Sequence, residues 1–188
     1  MGCDSCGGSC SPQNYLSFDA GNTHGPESGR LAAPEAIGRL IKSAKRPLLI
    51  VGSEILEDDG MLDRAIAIGK KGIPIAATGP AIRGFVEREY DGEVYYYQLH
   101  ELTNCILDPE WKGLDGQGNY DVVVFFGIIY YYASAMLSAI KNFGTDPLIR
   151  GVSIDKYYHP HARMTFGNYS PKRQAEYLEM LDKLITVL

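Results

Sequence analysis

Short continuous apolar runs alternate along the chain with stretches whose apolar residues recur every three or four positions. Ala36, Ile37, Leu40, Ile41 and Ala44 follow the second pattern, which predicts a helix over 34–45 with Pro34 at its first position. Leu48-Leu49-Ile50-Val51 is a continuous run ended by Gly52, the signature of a strand buried on both faces. Met61, Leu62, Ala65, Ile66 and Ile68 return to helical spacing as far as Lys70. Glu57, Asp58 and Asp59 put negative charge at the start of that helix, where its dipole favours it. Gly72 stops it. A second strand is predicted over 73–78, with Pro74 near its start, where a missing N–H costs least.

The pattern predicts a short helix over 81–88, a strand at 94–97, a helix over 99–107 and a loop of turn residues over 108–119. The strongest strand signal in the chain is 121–126, followed by a helix over 130–142 and a strand over 148–154. A last helix starts at Ser170-Pro171, with Ala175, Leu178, Leu181, Leu184 and Ile185 predicted on its inner face. Strands alternating with helices imply an α/β fold, a Rossmann-like, doubly wound parallel sheet over 33–188. Residues 1–32 carry no period and are rich in Gly, Ser, Asn and Pro, so they read as an N-terminal tail.

Composition narrows the function. The chain has 188 residues, 45% hydrophobic and 22% charged, with a formal net charge of −5. That balance suits a folded domain and excludes a general electrostatic binder of nucleic acid or of anionic membranes. No apolar run is long enough for a transmembrane helix, and no apolar segment near the N-terminus reads as a secretory signal, so a cytoplasmic protein is expected.

Candidate chemistry lies at the predicted strand ends. Gly52-Ser53, Thr78-Gly79-Pro80 and Gly127-Ile128 fall on the edge where open α/β sheets take ligands. Small residues there let a cofactor approach the backbone, although ordinary strand-to-helix turns use glycine too. The dinucleotide GxGxxG fingerprint is missing after the first strand. Walker A, HExxH and GxSxG motifs are missing as well, and no catalytic residues are assigned.

Cys3, Cys6 and Cys10 form a C-x2-C-x3-C triplet, read either as part of an iron–sulfur or other metal site or as an unliganded tail. Three ligands are an incomplete set. Cys105 reads as a buried core thiol rather than the fourth ligand. His159-Pro160-His161 is expected to cap or to sit on the surface. Eight of the thirteen tyrosines cluster at 95–97, 130–132 and 157–158. A helix opening on three tyrosines must turn at least one outward, and one or two runs are expected at a subunit contact.

Several stretches together resemble a known family. They are 44–52 (AKRPLLIVG), 72–79 (GIPIAATG), 108–121 (DPEWKGLDGQGNYD) and 164–168 (MTFGN). They resemble the epsilon subunits of archaeal acetyl-CoA decarbonylase/synthase complexes over about 33–188, with the Cys triplet outside the pattern. The resemblance implies a non-catalytic partner of the CO dehydrogenase alpha subunit in an α2ε2 assembly. It also implies a fold similar to the central domain of thiamine-diphosphate enzymes, which binds FAD in some members. FAD at Gly52, Ser53, Thr78, Gly79, Pro80, Gly127 and Ile128 is then expected, with a role in electron transfer. A cofactor-free stabiliser of the alpha subunit and a stand-alone nucleotide-binding enzyme remain as alternatives.

Overall fold

The structure is a computed structural model and describes residues 29–144 and 148–188. Seven strands form one parallel sheet in the order β1-β7-β6-β5-β2-β3-β4. They are β1 (Arg30–Leu31), β2 (Pro47–Val51), β3 (Ile75–Thr78), β4 (Val94–Tyr97), β5 (Val122–Phe126), β6 (Arg150–Ser153) and β7 (Met164–Thr165). The helices are α1 (Pro34–Lys42), α2 (Asp59–Gly69), α3 (Ile82–Glu87), α4 (Leu99–Leu107), α5 (Tyr130–Phe143) and α6 (Gln174–Val187).

The two central strands show why the sheet is covered on both faces. Side chains alternate across a strand, so a continuous apolar run feeds two cores at once. Leu49 and Val51 of β2, with Val122, Val124 and Phe126 of β5, pack beneath α1, α2 and α6. Leu48 and Ile50, with Val123 and Phe125, pack beneath α4 and α5. The register pairs Val51 with Phe126 and Ile50 with Phe125.

Winding proceeds from β2 to β3 to β4 in one direction, then returns to β5 on the other side of β2 and continues outward. The switch point therefore lies between the C-terminal ends of β2 and β5. Among the described residues, no helix is long and apolar enough to cross a membrane.

Three expectations change. The sheet begins before Ala33, because Arg30 and Leu31 pair with Met164 and Thr165 inside the stretch read as tail. Two residues that pair through the backbone alone leave no hydrophobic period to see. On α6 the inner face holds Tyr177, Leu181 and Leu184, whereas Ala175 is exposed. A 3-10 turn at Pro171–Arg173 precedes α6 and sets the phase that brings Tyr177 inward. Its hydroxyl then donates to the Ile154 carbonyl at 2.8 Å. Cys105 is half-buried rather than buried; burial, then Glu101 and Asp108, pushes its thiol pKa up, so it is a poor nucleophile.

Candidate functional site

Of the residues expected to hold a cofactor, Gly52, Thr78, Gly127 and Ile128 are buried, Gly79 is half-buried, and Ser53 and Pro80 are exposed. The structure brings Gly52, Gly127 and Ile128 against one another. A Cβ at Gly52 would stand 2.5 Å from the Gly127 carbonyl oxygen and 2.6 Å from the Ile128 Cα. Gly127 has φ 64°, and a Cβ there would strike the Ile55 side chain. The close approach that these two glycines permit is of one strand end to the next. Thr78 turns inward and donates its hydroxyl to the Val51 carbonyl at 2.9 Å. Gly79 differs: with φ 54°, it has no atom within 4 Å of where a Cβ would stand.

The N–H groups at the end of β5 are already taken. Gly127 and Ile128 both donate to the carboxyl group of Asp155, which follows β6 and is buried. Asp155 thus fills the place where an anionic ligand would be met at the switch point. Ser153 Oγ lies 3.4 Å from Asp155 Oδ2 and accepts from the Asp155 N–H at 3.2 Å. On the solvent side, Lys156 Nζ stands 3.5 Å from Glu54 and 3.6 Å from Glu57.

His159 packs beside Asp155 with 0% exposure, which corrects the expectation of a capping or surface histidine. Its ring stacks on Tyr130 at 4.8 Å between centroids, and Tyr130 meets Tyr157 edge-on. Among the described residues, neither ring nitrogen of His159 has a hydrogen-bond partner. His159 Nε2 is 3.6 Å from Asp155 Oδ2, too far for a hydrogen bond.

Burial pushes the Asp155 carboxyl up to about 8, against the Gly127 and Ile128 N–H groups and with help from the negative charge of Glu54. Burial, followed by His161, holds His159 down to about 4. At neutral pH the pair is therefore two uncharged groups in contact, holding one proton between them. Neither reaches solvent, so they offer a substrate no acid or base.

Sequence reasoning missed Asp155 and His159. The rule that placed Gly52, Gly79 and Gly127 on the ligand edge applies equally to a carboxylate just beyond β6, and that was the available signal. The longest familiar-looking stretch, 108–121, lies at the opposite edge of the sheet. There Asp121 accepts from the Lys45 and Arg46 N–H groups and pairs with Arg150 at 2.8 Å. Arg46 pairs with Asp115 and lies over the Tyr120 ring at 5.1 Å. That loop clasps the N-terminal ends of β2, β5 and β6 and contributes nothing to the switch point.

Each tyrosine run sends a residue outward or packs beneath a loop. Tyr131 is 71% exposed beside Ile129 at 44%, Tyr96 on edge strand β4 is 54% exposed, and Tyr158 is buried with its hydroxyl donating to the Gly29 carbonyl. No group of His, Cys, Asp and Glu among the described residues is placed to hold a metal ion. Cys3, Cys6 and Cys10 lie outside the described residues.

Known proteins match this chain in sequence along most of its length. A family model described as CO dehydrogenase beta subunit/acetyl-CoA synthase epsilon subunit matches residues 11–185, a stretch that begins just after the Cys triplet. The chain is 48% identical over 178 residues to the acetyl-CoA decarbonylase/synthase complex subunit epsilon of Methanothrix soehngenii, covering 94% of this chain and 92% of that one. It is 38% identical to subunit epsilon 1 of Archaeoglobus fulgidus, covering 89% and 91%. For subunit epsilon 1 of Methanosarcina barkeri the identity is 41%, covering 88% and 93%. With the family matched over nearly its whole length, the chain belongs to the CO dehydrogenase beta subunit/acetyl-CoA synthase epsilon subunit family.

Proposed function

We propose that the chain is a non-catalytic accessory subunit of a cytoplasmic acetyl-CoA decarbonylase/synthase complex, acting by binding the CO dehydrogenase alpha subunit in an α2ε2 arrangement. The observation that carries the non-catalytic reading is Asp155. It closes the switch point from within, and both Asp155 and His159 are sealed from solvent. Family membership and the names of the relatives support the complex.

Binding is assigned to the start of α5, where Ile129 and Tyr131 stand exposed side by side. Exposed aromatic side chains of this kind anchor interfaces. Tyr131→Asp is expected to weaken binding to purified alpha subunit by about 2 kcal/mol, about thirtyfold in Kd. Surface plasmon resonance with Val86→Asp as the control reads this directly. Equal affinity for Tyr131→Asp and wild type would move the interface elsewhere.

FAD does not fit the inner residues of the expected site. Gly52 faces the Gly127 carbonyl, and the Gly127 and Ile128 N–H groups are bonded to Asp155, so a diphosphate finds no donors there. Ser53, Gly79 and Pro80 are the residues left to meet a flavin on the outer rim, and the open space at Gly79 favours that second reading. For Cys3, Cys6 and Cys10 an iron–sulfur cluster or other metal remains our proposal. Cys6→Ser is expected to lower the bound iron or zinc measured on anaerobically purified protein, and equal metal content would remove the site.

A further inference from the structure

The edge of the sheet opposite the switch point carries a concavity with a volume of about 430 Å³. It lies where β1, β6 and β7 begin, and the C-terminal turn of α5 forms one wall. Its size falls within the range of small-molecule pockets, roughly 300–1,000 Å³. The described residues lining it include Arg30, Lys141, Arg150 and Arg163, and no carboxylate. This concentration of positive charge stands out on a chain whose net charge is −5.

Two of these cations already have partners. Arg150 pairs with Asp121 at 2.8 Å, and Lys141 has other contacts. Arg30 and Arg163 are different. Both are exposed at the mouth, and among the described residues no carboxylate pairs with either. Backbone pairing fixes their spacing, because the Arg30 N–H donates to the Arg163 carbonyl at 3.4 Å. Ile149, Ala162 and Met164 add apolar surface to the same wall. Two guanidinium groups over a partly apolar floor suit a planar apolar group that carries phosphate, since the guanidinium fork matches phosphate oxygens in pairs.

We propose that this pocket binds a phosphate-bearing small molecule of nucleoside-diphosphate size, with Arg30 and Arg163 holding the phosphates. The site is separate from the switch point and does not depend on the alpha subunit.

The test is calorimetric titration of ADP into the full chain at low ionic strength. Wild type is expected to bind ADP saturably at one site. Arg30→Ala and Arg163→Ala should each weaken binding by at least about tenfold, the loss expected for a charged hydrogen-bonding group. Lys45→Ala, an exposed cation outside the pocket, should leave the affinity unchanged. Both arginines are exposed, so neither truncation opens a core cavity, and an unchanged thermal midpoint checks that the variants fold. Three results would overturn the proposal: no binding by wild type at millimolar ADP, equal affinity in the arginine variants, or loss of binding in Ser53→Tyr alone, which would place the ligand at the switch point.

Discussion

Asp155→Ala is expected to lower the stability of the isolated chain by about 3 kcal/mol, because it strands two buried N–H donors at about 1–3 kcal/mol each. Those donors belong to Gly127 and Ile128, at the junction between β5 and α5. Asp155→Asn keeps an acceptor oxygen in place and should cost much less. It should instead change the pH dependence. In the folded chain Asp155 titrates at about 8 and His159 at about 4, against ordinary values of 3.8 and 6.5. Between pH 4 and 6.5 the folded and unfolded pairs each hold one proton, so their contribution to stability is flat.

Above pH 6.5 the unfolded pair releases its proton while the folded pair keeps it until about 8. Stability must therefore fall as pH rises through that window, by about 2 kcal/mol. With Asn at position 155 only His159 remains of the pair. Its depressed pKa gives stability that rises from pH 4 to 6.5 and is level above. Urea unfolding of both proteins across this range separates the cases. An equal fall above pH 6.5 in wild type and Asp155→Asn would mean that another group carries it.

The second large effect concerns glycines that look alike in the sequence. Gly52→Ala is expected to destabilise by about 3 kcal/mol, the upper end for overpacking a filled site. The added methyl would meet backbone atoms of Gly127 and Ile128, which cannot rotate away as a side chain could. Gly79→Ala should cost only about 1 kcal/mol, the price of a positive φ on a residue with a Cβ. Nothing stands within 4 Å of that methyl. Thermal unfolding of the two variants is the measurement. Equal losses would show that Gly52 is not needed for the strand ends to meet. Gly79→Val also tests the rim reading of the flavin, since it should lower flavin affinity without disturbing the β2–β5 junction.

The sheet was legible where burial is two-sided. Leu48-Leu49-Ile50-Val51 and the run at 122–126 can bury every side chain only between two layers of helices, so sequence alone places them at the centre. Helix α4 was readable over its observed span, 99–107, because its apolar spacing runs between Gln98 and the turn residues after Leu107. The site was less legible, because residue type misleads at buried polar positions. His159 looks like a surface residue until α5 lays Tyr130 over its ring. Gly52 and Gly127 look like ligand cradles until the register of β2 on β5 sets them face to face. Asp155 owes its role to two N–H groups that lie far from it in the chain, and no local pattern records that pairing.

We propose that this chain works by docking on a partner rather than by chemistry of its own. Sedimentation equilibrium of the chain mixed anaerobically with purified CO dehydrogenase alpha subunit tests it most directly. One species with the mass of two alpha and two epsilon chains is expected, lost when Tyr131 is replaced by Asp. Separate sedimentation of wild-type chain and alpha subunit at micromolar concentration would contradict it.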